Sequence, residues 1–295
     1  MQLLKTLIFI YNHPVNKNNK IYSIINFIKW QINCRINNFP IIYTFTSNSK
    51  LIIYKSMAAA TGNYYCGLME FADMAFLLHF LREEDLFVDI GANIGSYTIL
   101  ASGEIGAKSI AVEPIPTTFK SLEDNIQINR LSTKVQALNI GLSSTIEKLK
   151  FTRSMDSVNH VATNTDTDTI DVNIDTLDNI LLSDISPSIL KIDVEGFETE
   201  VLLGAKNTLK DDNLKAIIIE LNGSGQRYGY DEIKIHDMLL DYGFMIYSYD
   251  PFTRKLSIAT EIGNLNTIYL RDFEFVEKRV NSQRKISIGM KNFKI

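Results

Sequence analysis

From residue 86 onward, short continuous apolar runs alternate with stretches in which apolar positions recur every three to four residues. That alternation is what a parallel α/β sheet with crossover helices requires. Expected strands are Leu86 to Ile90, Ser109 to Glu113, Val135 to Ile140, Ile189 to Asp193 and Ala216 to Leu221, with two more over Phe244 to Tyr249 and Thr267 to Leu270. Expected helices between them are Ser96 to Gly103, Thr117 to Asn129, Glu198 to Asn207 and Asp231 to Tyr242.

Upstream, Ile21, Ile24, Ile25, Ile28 and Ile32 recur at helical spacing, with Lys20, Lys29 and Arg35 nearby and Trp30 as an interfacial anchor. Such a stripe fits packing on the catalytic domain, as most amphipathic helices do, or lying on an acidic membrane surface. Two stretches lack periodicity. Residues 152–169 are dominated by Ser, Thr, Asn and Asp and are expected as a long exposed loop. The stretch after Glu277 carries Lys278, Arg279, Arg284, Lys285, Lys291 and Lys294 and is expected to fray into solvent.

Composition adds that the bulk of the chain buries a full core: 45% of the 295 residues are hydrophobic and 22% charged. One catalytic domain over 60–276, a basic extension over 1–59 and a basic tail over 277–295 is the expected division. Charge sharpens the picture of the extension. Residues 1–69 contain no Asp or Glu and seven Lys or Arg, leaving −11 for the rest of a chain whose net charge is −4. An anionic partner is the implication, so residues 1–55 admit peripheral contact with an acidic membrane. Two cysteines, Cys34 and Cys66, make no disulfide framework and fit a cytoplasmic home. Leu3 to Tyr11 is broken by Lys5, is far shorter than the ~20 residues of a membrane span and has no cleavage site after it.

The chemistry concentrates where the first strand ends. Leu86-Phe87-Val88-Asp89-Ile90 runs into Gly91-Ala92-Asn93-Ile94-Gly95 and then a helical Ser96-Tyr97-Thr98. Glycines there let the backbone turn sharply and approach a ligand. Glu113, 22 residues after Gly91, ends the next strand, where a carboxylate can accept from both hydroxyls of a ribose. Dinucleotide sites use Gly-x-Gly-x-x-Gly, because pyrophosphate sits on the helix N-terminus. Here Asp89 stands where the first glycine would be, and the spacing is Asp89-x-Gly91-x-x-x-Gly95. A carboxylate repels pyrophosphate and attracts an ammonium or a sulfonium, which favours S-adenosylmethionine over a nicotinamide cofactor.

The segments FVDIGANIGSYT at 87–98, AVEP at 111–114, TLD at 176–178, LKIDVEGFE at 190–198 and VLLGA at 201–205 resemble the FkbM family of S-adenosylmethionine-dependent methyltransferases. The resemblance covers residues 60–270. It implies a Rossmann-like class I methyltransferase fold, a mostly parallel seven-stranded sheet with helices on both faces and an antiparallel hairpin at its end. It also implies O-methylation of a hydroxyl on a glycan or natural product.

A neutral hydroxyl is a poor nucleophile without a base. Asp193 and Glu195 lie at the C-terminal end of a central strand, where ligands bind in open α/β sheets, and either orients the acceptor hydroxyl or takes its proton. The competing structural role is that Asp193 caps the helix starting near Phe197 while Glu195 favours its positive end. Glu220 is a similar, weaker candidate, and His160 in the polar loop is a base delivered by a lid or a solvated loop residue. His79, His236, Tyr64, Tyr65, Phe71, Phe76 and Phe80 have the pattern of packing residues. No His, Asp or Glu cluster shows metal-ligand spacing, and no basic face interleaved with aromatics suggests nucleic acid. The expected partner is a small-molecule or glycan acceptor. Alternatives from other classes are a nicotinamide-dependent oxidoreductase and a membrane-associated binding protein without turnover.

Overall fold

The computed structural model describes residues 2–17, 20–36, 40–54, 57–155, 158–181, 186–263, 265–289 and 293–295. Its main sheet has eight strands: β1 (Leu86–Ile90), β2 (Lys108–Val112), β3 (Val135–Leu138), β4 (Ile189–Ile192), β5 (Ala216–Glu220), β6 (Met245–Asp250), β7 (Lys255–Ile258) and β8 (Asn266–Leu270). They lie in the order β7-β6-β8-β5-β4-β1-β2-β3. β1 to β5 pair in parallel, and β8 enters antiparallel between β5 and β6. All seven expected strands are present. The eighth, β7, pairs antiparallel with β6 at the sheet edge. It was missed because a four-residue edge strand with only Leu256 buried carries little pattern.

Alternation along the strands fills two cores. Phe87, Ala111, Ile189, Ala216 and Ile218 face one side, and Val88, Ile110, Leu190, Ile217 and Ile219 the other. The apolar helix Phe71–Phe80, absent from the expected set, covers the first side and is buried from Met74 to Phe80. Helix Ser96–Ile99 continues as a π-helical turn over Leu100–Ile105, and the expected helix at 198–207 is two short ones broken at Gly204.

Three expectations change. The polar stretch over 152–169 is bracketed by strands Glu147–Thr152 and Thr169–Asp175, paired antiparallel in a small second sheet, and Val161 folds back to bridge Phe151. Its middle is partly buried, because Val161 and His160 both lie inside. The C-terminal tail does not fray over its described residues. Helix Phe273–Ser282 buries Val276 and Val280, Ile286 and Ile288 are buried, and Arg284 reaches the buried Glu104 at 2.7 Å. Two of its cations, Arg279 and Arg284, thus pair with Asp85 and Glu104 of the domain, a partnership that composition cannot show. Lys291 lies outside the described residues.

The third concerns the extension. Helix Lys20–Ile36 docks through Ser23, Asn26, Phe27 and Trp30, the face opposite the isoleucine stripe. Trp30 is no interfacial anchor: it is buried, 5.7 Å from the ring of Tyr64, while Phe27 meets Tyr65 at 5.3 Å. Among the described residues no helix is long and apolar enough to cross a membrane.

Candidate active site

Strand order opens the site. The chain begins the sheet at β1, adds β2 and β3 outward, and returns to place β4 against β1, with Ile90 beside Ile192. Loops leaving two neighbouring strands in opposite directions leave a crevice at their C-terminal ends. A cavity occupies it, lined by Asp89, Gly91, Asn93, Glu113, Asp193 and Glu195 among others.

The glycine loop is shaped by its neighbours as much as by any ligand. Gly91 has φ +78°, and a Cβ there would stand 1.8 Å from the carbonyl oxygen of Asp193. Only glycine lets the loop lie this close to the end of β4. At Gly95, φ is +87° and a Cβ would meet Leu122 Cδ1 at 2.5 Å. Asp89 Oδ2 accepts the N–H and the hydroxyl of Thr98 at 3.0 and 2.6 Å, tying the strand end to the first helical turn across the loop. Glu113 accepts the Asn93 N–H at 3.0 Å on Oε2 and the Ile115 N–H at 2.9 Å on Oε1. Asp89 Oδ1 and both oxygens of Glu113 retain acceptor capacity beyond these bonds. Burial pushes the Asp89 carboxyl up to about 6 and that of Glu113 up to about 7, against the hydrogen bonds that favour their charged forms.

The opposite wall is built on Lys191, which is fully buried in β4. Its Nζ donates to Asp193 Oδ2 at 3.0 Å and lies 5.5 Å from the centre of the Tyr97 ring, whose hydroxyl donates to Glu70 at 2.5 Å. Glu195 sits at φ +54°, in the left-handed region that is costly for a side-chain-bearing residue. Glu198 holds that turn: its Oε1 accepts the N–H groups of Val194 at 3.2 Å and Gly196 at 3.1 Å. Asp193 therefore does not cap the following helix, whose N-cap, Phe197, receives no side-chain bond. Burial, then the neighbouring Asp193, pushes the Glu195 carboxyl up to about 7, and the same causes raise Glu220.

Asp193, Glu195 and Glu220 offer atoms all within 4.8 Å of one another, a grouping that could hold a cation and that linear spacing does not reveal, since the third lies on β5. The Lys191 ammonium already supplies positive charge to this cluster.

His160 is not brought to the cavity. Its imidazole is buried, Nδ1 bonds the Val158 carbonyl at 2.9 Å, and Nε2 lies 3.6 Å from Asp166. It is neither a solvated loop residue nor placed as a base; its neighbour Asn159 lines the cavity instead. His79 and His236 bond the hydroxyls of Tyr249 and Tyr269, as packing histidines do. Sequence reasoning missed Glu70, Tyr97, Lys191 and Glu198. A lysine inside an otherwise apolar strand was the one available signal. Glu70 precedes helix Phe71–Phe80 and carries no local sign of its role.

Residues 89–246 match the family model described as Methyltransferase FkbM domain. Hexuronic acid methyltransferase AglP of Haloferax volcanii is 32% identical over 202 residues, 68% of this chain and 72% of that protein. Methyltransferase sdnD of Sordaria araneosa is 34% identical over 83 residues, 28% of this chain and 32% of its own. A solved precorrin-6y C5,15-methyltransferase from Geobacter metallireducens aligns with 77% of this chain and 98% of its own at 14% identity and a TM-score of 0.42. The chain belongs to the FkbM methyltransferase family, and its methyl donor is S-adenosylmethionine.

Proposed function

We propose that the enzyme methylates a hydroxyl oxygen of a saccharide, with Glu195 as general base. The observation that carries this reading is the meeting, in one cavity, of the glycine loop and Glu113 with the carboxylates of Asp193 and Glu195. Asp89, Gly91, Asn93 and Glu113, which line the cavity, hold the cofactor, with Gly95 turning the loop behind them: the acids suit a ribose diol and cationic centres. When bound, S-adenosylmethionine supplies an electrophilic methyl group. Asp193, paired with Lys191, orients the acceptor hydroxyl, and Glu195 takes its proton. A base whose carboxyl titrates near neutrality is well matched to that transfer.

The relative that acts on hexuronic acid supports a sugar acceptor. Lys191 is the one cation among the described residues lining the cavity and is paired with Asp193, which favours a neutral hydroxyl over a sugar carboxylate.

Labelled methyl transfer to neutral saccharides and to uronic acids tests the reading. An alkali-stable methyl ether is expected, and Glu195→Gln is expected to slow transfer roughly 10²- to 10⁴-fold while calorimetric cofactor affinity stays the same. An alkali-labile methyl ester, or a Glu195→Gln enzyme as fast as the parent, overturns it.

A further inference from the structure

Among the described residues, nothing covers the isoleucine stripe of helix Lys20–Ile36, which Ile36 joins and from which Ile24 turns half inward. Ile21, Ile25, Ile28, Ile32 and Ile36 are each between 42 and 78% exposed, while Trp30 on the opposite face is 4% exposed. At about 100° per residue, the five isoleucines fall within an arc of about 80°, with Arg35 at one border and Lys29 at the other. The neighbouring helix Gln2–Asn12 adds the exposed Leu3, Leu4, Ile8 and Phe9. Apolar residues clustered in this way on a surface mark a contact site.

The helix is fixed in this orientation. Asn16, buried beneath it, donates to the carbonyls of Ile10 at 3.0 Å and Tyr65 at 3.3 Å and accepts from Ser23 Oγ at 2.7 Å. With Phe27 and Trp30 packed on Tyr65 and Tyr64, the helix cannot roll its stripe inward without unmaking those contacts.

We infer that this face docks on an anionic lipid bilayer. Charge selects the occupant. Residues 1–69 hold seven cations and no acid, whereas the rest of the chain carries −11. An apolar stripe bordered by basic residues, on a helix of 17 residues that cannot span a membrane, is the form of an interfacial helix. A second copy of the same face would bring cations against cations across a two-fold axis, and an acidic bilayer relieves that repulsion.

The test is co-sedimentation of the full chain with vesicles of phosphatidylcholine alone and of phosphatidylcholine with one quarter phosphatidylglycerol. Binding to the anionic vesicles is expected, at least tenfold stronger than to the neutral ones and weakened by high salt. Joint replacement Ile25→Ser, Ile28→Ser and Ile32→Ser is expected to lower partitioning at least tenfold with calorimetric cofactor affinity unchanged. Lys29→Glu with Arg35→Glu, a variant that keeps the stripe, is expected to remove the preference for anionic vesicles. No sedimentation with anionic vesicles overturns the inference. So does a dimer in sedimentation velocity that the isoleucine substitutions dissolve, since the stripe then belongs to a second copy.

Discussion

Two walls of one cavity are built on opposite principles. On the β1 and β2 side, Asp89 and Glu113 are buried and bonded to backbone N–H groups of the loop they shape. On the β4 and β5 side, Asp193, Glu195 and Glu220 crowd one another, with Lys191 paired to Asp193 and Arg227 acting on Glu195. Burial raises the acids of both walls; backbone donors fix those of the first in place, while in the second the neighbouring carboxylates add their repulsion. The first wall is therefore suited to holding a ligand and the second to moving a proton.

The largest effect is expected from Glu195→Gln, with kcat falling roughly 10²- to 10⁴-fold, the range of a lost general base, and cofactor affinity unchanged. A matching loss of cofactor affinity would erase the division between the walls. Gly91→Ala comes next. Its methyl group would press on the Asp193 carbonyl, so both walls shift, activity and melting temperature fall together, and wild-type stability would contradict the close approach. Glu113→Gln is expected to weaken S-adenosylmethionine about tenfold, or about 1.4 kcal/mol, with little change in kcat at saturation.

Titration separates the walls more finely. kcat/KM should climb as pH rises through about 7, where Glu195 loses its proton, and the Glu195→Gln residual should lack that limb. Stability should move the other way. Asp89 and Glu113 hold protons in the folded state up to about 6 and 7, above the unfolded carboxylate range of about 4. Their contribution is present below about pH 4 and lost as pH rises through 7. Thermal melts of the cofactor-free enzyme at pH 5 and 8 check the sign, and Glu113→Gln should narrow the gap. The smallest effect belongs to His160→Gln, which leaves cofactor affinity and the pH profile unchanged because the imidazole lies outside the cavity; a lost pH limb would restore it as a base.

Much of the first wall was legible in the chain. Asp89, Gly91 and Glu113 stand at or beside strand ends and Gly95 caps the next helix, and strands of continuous apolar residues are read directly from the order of residues. The second wall was legible only at Asp193, Glu195 and, more weakly, Glu220. Glu70 and Tyr97 come from other elements, and Glu198 serves a turn whose left-handed φ at Glu195 no residue type announces.

By itself, the sequence determined what depends on neighbours along the chain: strand and helix periods, the glycine turn, and the charge of residues 1–69. Tertiary structure decided what depends on neighbours across it. Gly91 meets Asp193 because β1 and β4 pair, Lys191 joins a half-buried acid cluster because β4 is central, and the tail packs as Arg279 and Arg284 find the buried Asp85 and Glu104. The helix at 20–36 shows the boundary most plainly. Its period predicted the isoleucine stripe, but only the aromatic packing of Phe27 and Trp30 decided which face turns outward.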